Sequence, residues 1–218
     1  MDKAVGAIKA ANRVADLIEL RVDYVKDPDL APLIENAKKP FIVTNRRREE
    51  GGRFRGNEQE RYRVLREAVT SGVQYVDAEM RSNRALLQTL IENRNGTKII
   101  LSFHDFQGTP SQKELRAILD RMIRLEADVI KIATFARSLE DNLTMLSLLL
   151  YARESSRKIV AFCMGEKGKM SRVFSPLMGA AWTYASLSSD RASAPGQLTV
   201  GEMRGIWKRL LPKGQSKL

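Results

Sequence analysis

Apolar residues along this chain fall into short, near-continuous runs. Between the runs lie longer stretches in which apolar positions recur every three or four residues. The runs at 16–22, 41–44, 73–76, 98–103, 128–133, 158–162 and 183–187 are rich in Val, Ile and Leu. Runs of that length predict strands buried on both faces of a parallel sheet. Apolar stripes of helical period lie between them: Tyr62, Leu65 and Val69; Leu86, Leu87, Leu90 and Ile91; Leu115, Ile118, Leu119, Met122 and Ile123; Leu139, Leu143, Leu146 and Leu150. Ser111 with Glu114 reads as a capping box, and Thr109-Pro110 as a helix entry. Alternation of strands and helices predicts the α/β class.

Residues 3–8 are the one ambiguous segment. Only seven residues separate them from Asp16, whereas a parallel crossover needs roughly a dozen. Ala4, Ile8, Ala11 and Ala15 share a helical face, so residues 2–13 are expected as a helix before the first strand. The reading is seven strands in one domain spanning 1–218. An eight-stranded barrel with this pattern lacks its first strand.

Composition narrows the chemistry. The chain has 218 residues, 43% hydrophobic and 29% charged, enough for one sizeable core and too apolar for disorder. The apolar cluster at 146–151 is too short to span a bilayer. Met1-Asp2-Lys3 does not open a leader-like apolar run, so a cytoplasmic protein without membrane attachment is expected. One cysteine, Cys163, excludes an intramolecular disulfide framework, and one histidine, His104, excludes a two-histidine metal centre. The net charge of +11 favours anionic partners without distinguishing a nucleic acid from a small carboxylate.

The informative residues are polar groups in or beside apolar strands, because burying a charge is costly unless it is paired. In the first strand Glu19, Arg21 and Asp23 alternate with Ile18, Leu20 and Val22 and share a face. Such a row fits a self-paired ion cluster on a wet face as well as a ligand site. Lys131 is surrounded by Val129, Ile130, Ile132 and Ala133. It is either a lysine snorkelling to an exposed face or a desolvated amine able to attack a ketone. His104 ends the apolar run 99–103. The carboxyl ends of parallel strands are where such folds place their chemistry, and histidine moves protons near neutral pH. Three loops add to this: 44–52 with Gly51-Gly52 and 164–172 follow strand ends, and 193–197 precedes the last helix. The glycine spacing of 164–172 fits neither a P-loop nor a dinucleotide fingerprint.

Taken in order, the blocks are Glu-Leu-Arg-Val-Asp at 19–23, Thr-x-Arg-x-x-x-Glu-Gly-Gly at 44–52, and Ser-x-His-Asp-Phe at 102–106 with Thr109-Pro110. They continue with Lys131-Ile132-Ala133, Met-Gly-x-x-Gly-x-x-Ser-Arg at 164–172 and Ser-Ala-Pro-Gly-Gln at 193–197. The set resembles the type I 3-dehydroquinate dehydratases of the shikimate pathway. The resemblance implies a (β/α)8 barrel, a homodimer, and no metal or organic cofactor. It implies that Lys131 forms an imine with the substrate ketone and that His104 is general base and then acid. Glu50 is implied to orient His104, and Arg172 to bind the substrate carboxylate. Glu19, Arg21, Arg46, Ser193 and Gln197 are implied to hold the ring substituents.

Two rivals bear weighing. Segment 46–66 holds eight arginines with Phe54 and Tyr62 interleaved, a pattern that can grip phosphates in a nucleic-acid binder. Glu49, Glu50, Glu58 and Glu60 fall in the same window, however, and no nucleic-acid-binding motif accompanies it. Another Schiff-base barrel enzyme, such as a class I aldolase, shares the strand lysine but not the 102–106 and 193–197 blocks. Cys163 reads as a small buried hydrophobe rather than a nucleophile.

Overall fold

The computed structural model describes residues 1–153 and 157–212. The elements in chain order are α1 (Asp2–Val14), β1 (Ile18–Arg21), α2 (Leu30–Glu35), β2 (Phe41–Thr44), α3 (Glu58–Thr70), β3 (Tyr75–Glu79) and α4 (Arg84–Glu92). They continue with β4 (Lys98–Asp105), α5 (Gln112–Ile123), β5 (Val129–Phe135), α6 (Glu140–Ala152), β6 (Lys158–Met164), α7 (Lys169–Phe174) and α8 (Val200–Leu210). The strand order is sequential, β1-β2-β3-β4-β5-β6. By Cα packing the chain divides into two units, 1–103 with 126–129, and 104–125 with 130–218.

In the first unit β1 to β4 pair in parallel. The register aligns Arg21 with Thr44, Thr44 with Asp77, and Glu79 with Ser102. Side chains alternate across a strand, so one face collects Glu19, Arg21, Thr44, Asp77, Glu79 and Ser102. The other face carries Leu20, Val43, Val76, Ala78, Ile99 and Leu101, all buried. Helix α3 packs against β2 and β3 through Tyr62, Leu65 and Val69, as their spacing predicts. Its start is fixed by a capping box of Asn57 and Glu60. Helix α1 occupies the predicted segment and buries Ile8 and Ala11.

In the second unit α6 and α7 pack on β6, and α5 packs on α6. Ser111 and Glu114 form the expected capping box, and Thr199 with Glu202 forms another at α8.

Three expectations change. The strand expected at 183–187 is a single bridge, Ser186 with Thr199. The ladder cannot extend because Thr199 is the N-cap of α8, so its partner backbone turns helical at once. Among the described residues the sheet accordingly has six strands rather than seven. β3 runs on to Glu79 instead of ending at Val76. Finally, of the stripe Leu139, Leu143, Leu146 and Leu150 of α6 and its N-cap, only Leu146 is buried. Leu139, Leu143 and Leu150 are 61%, 58% and 44% exposed, while Met145, Leu148 and Leu149 are buried. The helix is apolar nearly all round, so periodicity alone chose the wrong side.

Candidate active site

The charged first strand ends in a self-made ion pair. Asp23 lies in a 3-10 turn, Val22–Tyr24. Arg21 donates to it through Nε at 2.8 Å and Nη2 at 2.7 Å. The other carboxylate contacts of Asp23 hold the next loop, accepting from the backbone N–H of Arg46 at 3.3 Å and of Arg53 at 2.9 Å. That loop needs both glycines. Gly51 takes φ 77°, and a Cβ on Gly52 would sit 1.9 Å from the carbonyl oxygen of Arg46. Glu50 is 2% exposed at the end of a 3-10 turn in this loop. Glu19 accepts a hydrogen bond from Thr44 Oγ1 at 2.9 Å.

Arg46 is buried in a carboxylate cage. Its Nη2 donates to Asp77 at 2.7 Å, and its Nη1 donates to Glu79 at 3.0 Å and to Ser102 Oγ at 2.6 Å. Ser102 in turn donates to Asp77 at 2.6 Å. Burial opposes the charge on Arg46, but Asp77 and Glu79 outweigh it and raise its pKa. Glu79 also accepts from Arg61 Nη1 at 2.5 Å and from the backbone N–H of Arg47 at 3.1 Å. Arg61 reaches further to Glu58 at 2.9 Å, Ser82 at 2.7 Å and the carbonyl of Asn45 at 3.1 Å. Arg61 and Tyr62 are therefore core groups, each 0% exposed, and cannot belong to a nucleic-acid patch.

Asp77, Glu79 and Arg61 were missed by sequence reading. The signal was present: Asp and Glu at alternate positions of Tyr-Val-Asp-Ala-Glu are the same anomaly that singled out Glu19 and Arg21.

In the second unit His104 is 8% exposed at the end of β4, with the Phe106 ring stacked at 6.5 Å. Lys131 is 5% exposed on β5, and its Nζ lies 4.3 Å from the centre of the Tyr184 ring. Tyr184 meets Phe162 of β6 at 5.9 Å between ring centres. The other contact of Phe162 is the Arg172 guanidinium, 4.4 Å from its ring centre. Arg172 is 1% exposed, and its only polar contact among the described residues is a long one, 3.5 Å from Nη2 to the Pro195 carbonyl. Its Nε has no hydrogen-bond partner there. Burial accordingly lowers its pKa to about 10.

The turn that presents Arg172 is built around Asn142. Its side chain donates to the carbonyls of Leu139 and Lys167 and accepts from Ser171 N–H at 3.0 Å. Ser171 Oγ accepts from Cys163 N–H at 2.8 Å. Burial raises the Cys163 thiol pKa, and Thr134 and Thr109 only partly offset it, as suits an inert core group. Ser193 and Gln197 sit together: Gln197 Oε1 accepts from Ser193 N–H at 2.8 Å and from its Oγ at 3.2 Å. Their loop is pinned by Gly165 N–H donating to Pro195 O at 3.0 Å. Gly196, at φ 70°, is required there, since a Cβ would lie 2.0 Å from Gly165 O.

The second unit thus holds a buried lysine, a histidine, an uncompensated arginine and two polar loop side chains. Residues 1–210 match the family model for type I 3-dehydroquinase. The curated 3-dehydroquinate dehydratase of Thermococcus gammatolerans is 44% identical, over 94% of this chain and 91% of its own. The crystal structure of 3-dehydroquinate dehydratase from Geobacillus kaustophilus superposes with a TM-score of 0.88 at 27% identity, covering 97% of this chain and 87% of its own. That of the type I enzyme from Clostridium difficile, solved with covalently modified comenic acid, gives 0.85 at 26% identity over 94% and 86%. The chain belongs to the type I 3-dehydroquinase family.

Proposed function

We propose that this chain converts 3-dehydroquinate to 3-dehydroshikimate through an imine on Lys131. The observation that carries the reading is the pair of buried basic side chains in one unit, Lys131 on its strand and Arg172 without a carboxylate among the described residues. A guanidinium in that state suits an anionic ligand, because a bound carboxylate relieves the cost of its burial.

The neutral Lys131 amine adds to the C3 ketone, and loss of water gives an iminium. The iminium withdraws electrons and loosens the C2 proton, which His104 removes to give an enamine. The enamine electrons expel the C1 hydroxyl, and His104 returns its proton so that water leaves. Hydrolysis of the conjugated iminium frees the product and Lys131. A positioned acid/base contributes roughly 10²–10⁴-fold in rate. Arg172 holds the substrate carboxylate, and Ser193 and Gln197 exchange their mutual bond for ring oxygens. In the same reading Glu50 orients His104, and Glu19, Arg21 and Arg46 hold the ring substituents. Arg46 and Arg21 already spend donors on Asp77, Glu79 and Asp23, so fewer remain for substrate.

Borohydride added with 3-dehydroquinate should fix a reduced adduct on Lys131, located by peptide mass spectrometry. His104→Ala should lose most turnover and still be trapped. An adduct on another lysine overturns the nucleophile, and equal loss of trapping and turnover overturns the division of roles.

The (β/α)8 architecture, with 1–218 as one cytoplasmic domain, belongs to the same proposal and is supported by the sequential strand order. So does a homodimer. The exposed stripe of Leu139, Leu143 and Leu150 supports it, since such apolar faces mark interfaces. Leu143→Glu should lower the mass in analytical ultracentrifugation. An unchanged mass places the interface elsewhere.

A further inference from the structure

Two basic side chains of the second unit, Lys131 and Arg172, are buried against aromatic rings. The contacts run Arg172, Phe162, Tyr184, Lys131, with the cations at the ends and the ring pair in the middle. Each cation rests on a ring face, where the negative quadrupole replaces part of its lost hydration. Lys131 Nζ is the closer, at 4.3 Å, and it is the atom on which the reaction places its charge.

We propose that Tyr184 is a positioning residue for the reaction, whose ring face holds the Nζ of Lys131 and stabilises the cationic iminium formed there. The inference rests on the imine reading of the site. When the amine condenses with a ketone, nitrogen gains the carbon and the carbinolamine oxygen leaves as water. The positive charge is then on the same Nζ that lay over the ring in the free enzyme. The ring is thus preorganised for the iminium and needs no new contact. Because the interaction is with the ring face, the hydroxyl is dispensable and the aromatic quadrupole is not.

The test is a graded series at position 184: Tyr, Phe, and Phe carrying one, two and three ring fluorines, introduced by nonsense suppression. Fluorination weakens the ring quadrupole while changing shape little, so the fold is held constant. The readouts are the fraction of Lys131 trapped by borohydride at a fixed subsaturating 3-dehydroquinate concentration, and kcat. Tyr184→Phe should match the parent. The fluorinated series should fall stepwise, reaching on the order of 10-fold at three fluorines. A flat series with normal trapping on Lys131 overturns the role of Tyr184 and leaves the imine reading standing. Absence of trapping in the parent protein overturns the imine reading itself.

Discussion

Arg46 and Arg61 in the first unit lie against Asp77 and Glu79, whereas Arg172 and Lys131 in the second lie over Phe162 and Tyr184. All four side chains are buried, and Arg172 differs from Arg46 and Arg61 in what replaces water. Carboxylates neutralise the first pair and fix it in bidentate and bridging geometry, as a rigid support for the loop that carries Glu50. The Phe162 face leaves the charge of Arg172 in place and leaves donor edges of its guanidinium available. The first arrangement suits a scaffold, and the second suits groups that must take an anion or carry a charge that comes and goes.

Removing the shared carboxylate should be the most disruptive change. Glu79→Ala leaves Arg46 and Arg61 with part of their compensation gone, at a cost of about 3–5 kcal/mol. Urea unfolding checks this, and a loss under about 1 kcal/mol would mean that the cage is not structural.

Arg172→Met should act in the opposite direction on stability. Burial holds the Arg172 pKa at about 10 in the fold, below the ordinary arginine value. The fold therefore disfavours the charged form. That cost is fully present below pH 10 and fades as pH rises toward the ordinary arginine range. The substitution should stabilise the ligand-free protein on the order of 2–3 kcal/mol at pH 8, less above pH 10, while abolishing substrate binding. Destabilisation at pH 8 would show that Arg172 is compensated.

The smallest effect is expected at the rim of the cage. Glu58 pairs with the same Arg61 but has a side chain 33% exposed. Glu58→Ala should cost under about 1 kcal/mol. A loss equal to that of Glu79→Ala would erase the distinction between buried and rim partners.

Much of this site was legible before the fold was known, because charge inside an apolar strand is anomalous wherever it occurs. Lys131 and His104 stood out for that reason, and Glu19 and Arg21 did so with an ionic alternative that Asp23 in part fulfils. Asp77 and Glu79 carried the same signal but fell outside a strand thought to end at Val76. Strand ends are poorly marked when the terminal residues are polar. Tyr184 gave no signal, since a tyrosine in a partly apolar run is ordinary. Only the return of that segment beside β5 makes it a partner of Lys131.

The local sequence determined helices, caps, most strands and the glycines that let two loops turn back on their own backbone. These depend on a residue and its near neighbours. Which face of α6 is buried was decided by tertiary structure, because its apolar residues surround the helix and only packing on β6 selects a side. So were the partners of each cation. Charge compensation is a contact between residues far apart in the chain, such as Arg46 and Asp77. The alternation of a strand says that a charge is buried, and only the register of the neighbouring strands says what it is buried against.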